Sequence, residues 1–311
     1  MKVLRGYRKA REKLIDPVIA IGIFDGVHLG HRKVIRRMMG SPGSGDRVIL
    51  TFDPHPDTVL TPGKPLPRIM SLSHRLNIFQ KIGIDAVIVV SFSKYIAGMS
   101  PENFMERVVV RGAGCRRVYV GDNFVLGKGG KGDTGRLSEI GKKAGVDICI
   151  VPSLKMGGKI ISSTRVRKLV AGGDISEAEK LLGRPVSVLG TVVPGESIGR
   201  RMGVPTANLD PHHEVIPPVG VYAVKVDIDG GMFSGALNIG HKPTFYGRDH
   251  KRKEPSIEVH IMDFDGDLYG RDIEVLFINK IRDEKCFSGS RQLASQIEKD
   301  ISAVRCLEKT M

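Results

Sequence analysis

His28 and His31 stand either side of Gly30, in the stretch FDGVHLGH that ends the apolar run PVIAIGIF. Imidazoles can donate hydrogen bonds to phosphate oxygens and steady the charge that develops as a phosphorus centre is attacked. In open parallel sheets, ligands bind beyond the carboxyl ends of strands, where the next helix points its free N–H groups outward. Gly26 would permit a tight turn there, and Gly30 would let backbone approach a ligand.

Other residues offer related chemistry. Asp53 and His55, in TFDPHP, end a second apolar run. Lys128 and Lys131, in GKGGKGD, would give an anion-binding loop, although glycine runs are commonly linkers. Ser162 to Thr164 would cap a helix, and the same N–H groups with Ser163, Thr164 and Arg167 suit the terminal phosphates of a polyphosphate. Further on, Thr206 and Asn208 lie two residues apart in GVPTANL and so project to one side of an extended segment. A hydroxyl and an amide carbonyl are hard oxygen ligands of the kind Mg²⁺ takes beside phosphates and water. Upstream, Gly195, Gly199, Arg200 and Arg201 in VVPGESIGRRMG would form a phosphate-covering loop. Glu258, in the alternating run SIEVHIMDF, has the ordinary reading of a solvent-facing strand residue.

The elements that must position these groups divide the chain. From Pro17 to about Gly183, short apolar runs (VIAIGIF, VILTF, AVIVVSF, VYVGDNF, ICIVP) alternate with helical patterns, which predicts a parallel sheet covered by helices. Asp174 three residues before Glu177 reads as a capping box, with Gly183 as the helix stop. After Arg184-Pro185, extended runs of period near two, separated by turns such as DGG and DFDGD, predict an antiparallel barrel or sandwich. Leu293, Ile297, Ile301 and Val304 then fall at helical spacing. The expected division is 1–183 and 184–311.

Composition narrows the classes. The 311 residues are 41% hydrophobic, enough for two cores. No stretch reaches the roughly 20 apolar residues of a membrane span, and the N-terminus has no apolar segment behind its charges, so a cytoplasmic protein with no membrane partner is expected. Four scattered cysteines indicate neither a zinc site nor a disulfide framework. A net charge of +14 suits polyanionic partners, nucleic acid or phosphorylated small molecules. The basic runs RGYRKAREK, RKVIRR and RDHKRK read as solvated faces.

The motifs, in order, resemble the bacterial bifunctional riboflavin kinase/FMN adenylyltransferase family, the FAD synthetases. FDGVHLGH resembles the HxGH signature of nucleotidyltransferases, and TFDPHP, VGDNFVLGKGGKGD, ISSTRVR, GRRMGVPTANL, LNIGHKPTF, IEVHIMDF and DLYGRDIEV extend the match over nearly the whole chain. The resemblance implies an α/β, Rossmann-like nucleotidyltransferase domain followed by an antiparallel β-barrel riboflavin kinase domain with a terminal helix. It implies catalysis by His28, His31 and Glu258, the last accepting the proton of the flavin ribityl hydroxyl. ATP would meet Gly22, Phe24, Asp25, Gly26, Gly30, Ser163, Thr164 and Arg167 in the first half. In the second it would meet Gly195, Gly199, Arg200, Thr206 and Asn208, with Mg²⁺ on Thr206 and Asn208. Flavin contacts would come from Asp53, His55, Asn123, Arg282 and Phe287. Many members carry an Arg just before the ISSTRVR motif; here Ile160 and Ile161 precede it and Lys159 is the nearest base.

The resemblance thus implies riboflavin, FMN and ATP as small-molecule partners, FAD as product, and a monomer or weak homo-oligomer. A nucleic-acid-binding barrel would require surface aromatics at alternating strand positions and an unbroken basic stripe, and with no Trp and 5% aromatics neither is clearly supplied. A single-activity enzyme keeping one half's chemistry is the closer rival.

Overall fold

The computed structural model describes the chain except residues 62, 64–66, 128, 130–131, 196–203, 241–254, 286, 288–289 and 310–311, and the side chains of 290–291 and 308–309. Lys128, Lys131, Gly199, Arg200 and Arg201 therefore lie outside the described residues. The contacts separate two compact units, one of residues Met1–Pro67 and Leu72–Arg165, the other of Arg68–Ser71 and Val166–Met311.

The first unit is built on β1 (Lys2–Arg5), β2 (Val18–Ile21), β3 (Arg47–Asp53), β4 (Ala86–Ser91), β5 (Arg117–Gly121) and β6 (Asp147–Val151), all parallel, in the order β1-β4-β3-β2-β5-β6. Every residue of β2 is buried, as expected of a central parallel strand covered on both faces. Between strands run α1 (Leu29–Met39), α2 (Pro56–Leu60), α3 (Leu72–Ile82), α4 (Lys94–Ala97) and α5 (Pro101–Phe104). The last continues as a π-helix over Met105–Ala113 and is followed, after β5, by α6 (Thr134–Ala144). In α1, Val34, Ile35 and Met38 face the core, and Gly40 closes the helix by donating to the Arg36 carbonyl. A hairpin of β7 (Lys155–Met156) and β8 (Lys159–Ile160) precedes α7 (Ser163–Gly172), which from Val166 on belongs to the second unit, as does α8 (Ile175–Leu182).

Two local expectations change. The N-terminal KVLR, for which no element is predicted, is the edge strand β1, paired in parallel with β4. At α8, Asp174 takes the N-cap position but its side chain makes no capping bond, and Glu177 pairs instead with Lys180 at 2.6 Å. The tight Gly172–Gly173 entry leaves Asp174 at φ −79°, ψ 60°, with its N–H on the Leu169 carbonyl; the residue is outside the extended conformation that aims a capping side chain down the helix.

In the second unit, β9 (Ser187–Val193), β10 (Ala207–Asp210), β11 (Gly220–Ile228), β12 (Gly231–Gly240), β13 (Ser256–Ile261) and β14 (Asp272–Arg282) close an antiparallel barrel in the order β10-β13-β12-β11-β14-β9. Its strands alternate as period two demands: Ile257, Val259 and Ile261 are buried, and Glu258 and His260 are half-buried on the other face. The long helix α9 (Ser290–Lys309) lays Val304 against Ala223 and Met262, with Ile301 and Leu307 beside them. The buried Glu214 carboxylate fastens the short Arg68–Ser71 segment to this unit, accepting from Ser71 N at 2.7 Å and Leu189 N at 3.1 Å.

Candidate active sites

The histidine turn leaves β2 through a strained backbone. Phe24, Gly26 and Val27 all have positive φ, at 55°, 81° and 41°. Phe24 and Val27 are not residues that adopt this region cheaply; each costs about 1–3 kcal/mol and persists only where packing over-determines it. Both are buried, Val27 completely. Strain of this kind concentrates at functional sites, and here it delivers His28 to the N-cap of α1.

His28 Nδ1 accepts the His31 backbone N–H at 3.2 Å. Because Nδ1 is the acceptor, the neutral ring carries its proton on Nε2, where it is a donor. The two imidazoles stack at 3.6 Å between centroids and 15° between planes, and Phe24 meets His31 edge-on at 5.3 Å. Gly30 is fixed by this stack: a Cβ there would sit 3.1 Å from the His28 ring. His31 is held well below the ordinary histidine pKa, chiefly by burial, then by the repulsion its charged form would meet from a protonated His28 and from Arg75. Its Nδ1 is buried with no hydrogen-bond partner among the described residues. A buried polar atom left so is costly unless a ligand or water completes it.

Neighbouring motifs close on this turn. Ser163 Oγ, at the start of α7, donates to the Asp25 carbonyl at 2.9 Å. Ser162 Oγ accepts from Arg165 N at 3.3 Å, and the Arg165 guanidinium donates to the Met156 carbonyl at 3.1 Å, pinning the β7–β8 hairpin. Thr164 is exposed, as is Lys159 on β8. Arg167, further along α7, belongs to the second unit.

Arg75 was not singled out by the sequence, where it is one base in an amphipathic helix. It is only 2% exposed, and its Nη1 donates to the Ile23 carbonyl at 2.5 Å and to Thr51 Oγ1 at 2.9 Å. Thr51 Oγ1 in turn donates to the same carbonyl at 3.1 Å, and Asp53 Oδ1 lies 4.0 Å from Nη2. One buried cation therefore joins the end of β2 to the end of β3. His55 is engaged locally, Nδ1 accepting from Asp57 N at 3.2 Å as the N-cap of α2. Beyond β5, the Asp122 carboxylate accepts from Ser153 N at 2.8 Å and from Ser153 Oγ, contacts that lower its pKa. The exposed Asn123 turns its Oδ1 back to within 3.1 Å of where a Gly121 Cβ would lie.

The second site lies on the barrel. Asn208 of β10 and Asn238 of β12 flank Glu258 of β13 in direct register. Directly opposed residues on paired strands share a face, so these side chains are neighbours. Gly195 is pressed against the same group: a Cβ would fall 2.0 Å from Asn208 Nδ2. Glu284 reaches Gly240, where a Cβ would stand 2.5 Å from Oε1 and 3.1 Å from Asn238 Nδ2. His260 shares the Glu258 face, its Nδ1 2.8 Å from the Pro205 carbonyl beside Thr206. Asn238, His260 and Glu284 escaped the sequence reading because only strand register brings them here. Arg282 forks onto Asp300 of α9, with Nη2 to Oδ2 at 2.7 Å, and its guanidinium lies 5.9 Å from the Phe287 ring centroid. That guanidinium is committed to the helix contact, with Phe287 on one side.

A family model described as FAD synthetase matches residues 10–165, and one described as riboflavin kinase matches residues 182–307. The chain is 37% identical over 295 residues to a bifunctional riboflavin kinase/FMN adenylyltransferase of Bacillus subtilis, covering 93% of this chain and 92% of the relative. The chain belongs to that family. Relatives carrying the same name in Pseudomonas fluorescens and Escherichia coli K12 are each 35% identical, over 99% and 96% of this chain and 98% and 96% of their own lengths. Among solved structures, a crystal structure named as a macrolide-efflux protein from Streptococcus pneumoniae superposes with a TM-score of 0.79 at 27% identity, covering 98% of this chain and 99% of that one. Among the described residues of this family member, no helix is long and apolar enough to cross a membrane.

Proposed function

We propose that this chain makes FAD in two steps, phosphorylating riboflavin with ATP to give FMN and ADP, then joining FMN to the adenylyl group of a second ATP with release of pyrophosphate. The observation that carries this reading is that each unit assembles its own chemistry: a stacked histidine pair on a strained turn in one, and an Asn-Glu-Asn row on a barrel in the other. The functional domains are taken as 1–183 and 184–311, in the cytoplasm, acting as monomer or weak homo-oligomer without nucleic-acid or membrane partners.

In the kinase step, the ribityl hydroxyl attacks the γ-phosphorus, the bond to the ADP oxygen breaks, and Glu258 takes the hydroxyl proton. Thr206 and Asn208 offer the hydroxyl and amide oxygens that fit Mg²⁺. No group of three or more His, Cys, Asp or Glu among the described residues could hold a metal. That donor set suits an ion arriving on nucleotide phosphates, where it would neutralise their charge. Gly195, with Gly199 and Arg200, would cover those phosphates, and Arg282 and Phe287 would border the flavin.

In the adenylyl step, an FMN phosphate oxygen attacks the α-phosphorus and pyrophosphate leaves, so no covalent enzyme intermediate is needed. His28 Nε2–H and the free N–H groups at the start of α1 stabilise the developing charge, and His31 supplies its neutral ring. Gly22, Phe24, Asp25, Gly26 and Gly30 form the turn that the ATP phosphates lie against, and Ser163 and Thr164 hold their far end. Asp53, His55 and Asn123 would receive FMN.

Incubating the purified protein with riboflavin, ATP and Mg²⁺ and separating flavins by chromatography tests the reading. FMN should appear first and FAD after it. FMN without FAD would remove the adenylyl half, and neither product would remove both.

A further inference from the structure

The basic run RGYRKAREK is not a featureless solvated face. It walls a cavity of about 540 Å³ in the first unit, beyond the carboxyl ends of the adjacent parallel strands β1 and β4. Arg5, Arg8, Lys9 and Lys13 line it, and among the described residues no carboxylate does. All four cations are exposed. The remaining walls include the two tyrosines Tyr7 and Tyr95.

The frame of this cavity is fixed. The chain leaves β1 at Gly6, whose N–H is bonded to the Val89 carbonyl at 2.8 Å, and turns so that Ala10 N reaches the Tyr7 carbonyl at 3.1 Å. Ala10 and Leu14 are buried and anchor the segment that carries the cations. Tyr7 is packed against Gly112, where a Cβ would lie 2.8 Å from its ring, and Tyr95 Oη accepts from Arg107 Nη1 at 3.0 Å. The volume lies within the roughly 300–1,000 Å³ of small-molecule sites, and carboxyl ends of parallel strands are where such sites form. None of the lining residues belongs to the histidine turn, TFDPHP, the β5 loop or ISSTRVR.

We propose that this cavity is a second binding site, separate from the two reaction centres, for a small molecule that carries both a phosphate and a planar heteroaromatic ring. The cations take the phosphate and the tyrosines border the ring. A flavin phosphate and an adenine nucleotide share that chemistry. Both are among the molecules this family handles, and the inference rests on that reading.

The test is equilibrium dialysis of the full-length protein at about 0.15 M salt, where the Debye length of ~8 Å confines charge effects to the cavity. FMN, AMP and riboflavin are the separate probes, compared between wild type and Arg5→Glu/Lys9→Glu. Wild type should hold one more equivalent of FMN or of AMP than the variant, whichever ligand the site takes, with riboflavin binding equal in both and turnover at saturating substrate unchanged. If the charge reversal unfolds the protein, Arg5→Gln/Lys9→Gln is read by the same criterion, with binding weakened about tenfold. Equal stoichiometry for both phosphorylated probes in wild type and variant overturns the proposal. So does an equal loss of riboflavin, or charge-dependent capture of a short single-stranded RNA with no extra FMN or AMP.

Discussion

Asn208 and Glu258 stand directly opposite each other across the β10–β13 ladder, and Asn238 takes the matching place on β12. The proposed metal ligand and the proposed base are thus neighbours by strand register, 50 residues apart in the chain. Glu258→Gln keeps the size and an acceptor oxygen but cannot take a proton at neutral pH. Riboflavin phosphorylation should fall about 10²–10⁴-fold with little change in ATP affinity, while FAD formation from supplied FMN continues. Phosphorylation near the wild-type rate would leave Glu258 an ordinary strand residue.

Gly195 offers a steric test of the same cluster. Its would-be Cβ falls 2.0 Å from Asn208 Nδ2, so Gly195→Ala must displace the Asn208 amide. Steady-state kinetics should show weakened riboflavin phosphorylation with the adenylyl reaction intact. An unchanged kinase would mean that the Asn208 position does not matter to the reaction.

Arg75 joins two strand ends through charge-assisted hydrogen bonds in a buried setting. Hydrogen bonds to a charged group are worth about 1.5–3 kcal/mol, so Arg75→Met should destabilise the first unit by about 3 kcal/mol in a denaturant titration. FAD formation in the Met variant should drop with it, and the acid limb of that variant's pH profile should move upward as one source of the His31 depression is removed; Arg75→Lys, which keeps the charge, should recover part of both losses. Normal stability in the Met variant would contradict the assigned role.

The depressed pKa of His31 makes stability depend on pH in a definite direction. In the unfolded chain this histidine takes up its proton near 6.5, whereas the folded form resists until well below that value. The unfolded state therefore binds more protons in this window. The contribution is complete above about pH 6.5 and is lost as pH falls towards the folded pKa, by at most about 1.4 kcal/mol per pH unit. His31→Gln should flatten that slope in denaturation measured at successive pH values between 7.5 and 5. A slope identical to wild type would show that His31 is not depressed.

Much of the fold was legible because its signals are local. The fully buried run Val18–Ile21 and the alternation of Ser256–Ile261 each declare their sheet type within one strand. The histidine turn was legible for the same reason, its chemistry and its glycines being contiguous. β1 was hidden because an edge strand of four residues with one buried side chain has almost no pattern. The row Asn208–Glu258–Asn238 was only half visible, since register is set by the whole barrel. Arg75 was invisible, because nothing in an amphipathic helix distinguishes an arginine that turns inward from one in solvent.

In the proposed mechanism the adenylyl chemistry resides in the stacked pair His28 and His31 and is separable from the kinase. The most direct measurement is the flavin product profile of His28→Ala/His31→Ala, supplied with riboflavin, ATP and Mg²⁺ and followed by chromatography. FMN should accumulate at close to the wild-type rate and FAD should be absent. FAD at the wild-type yield from the double variant would contradict the claim.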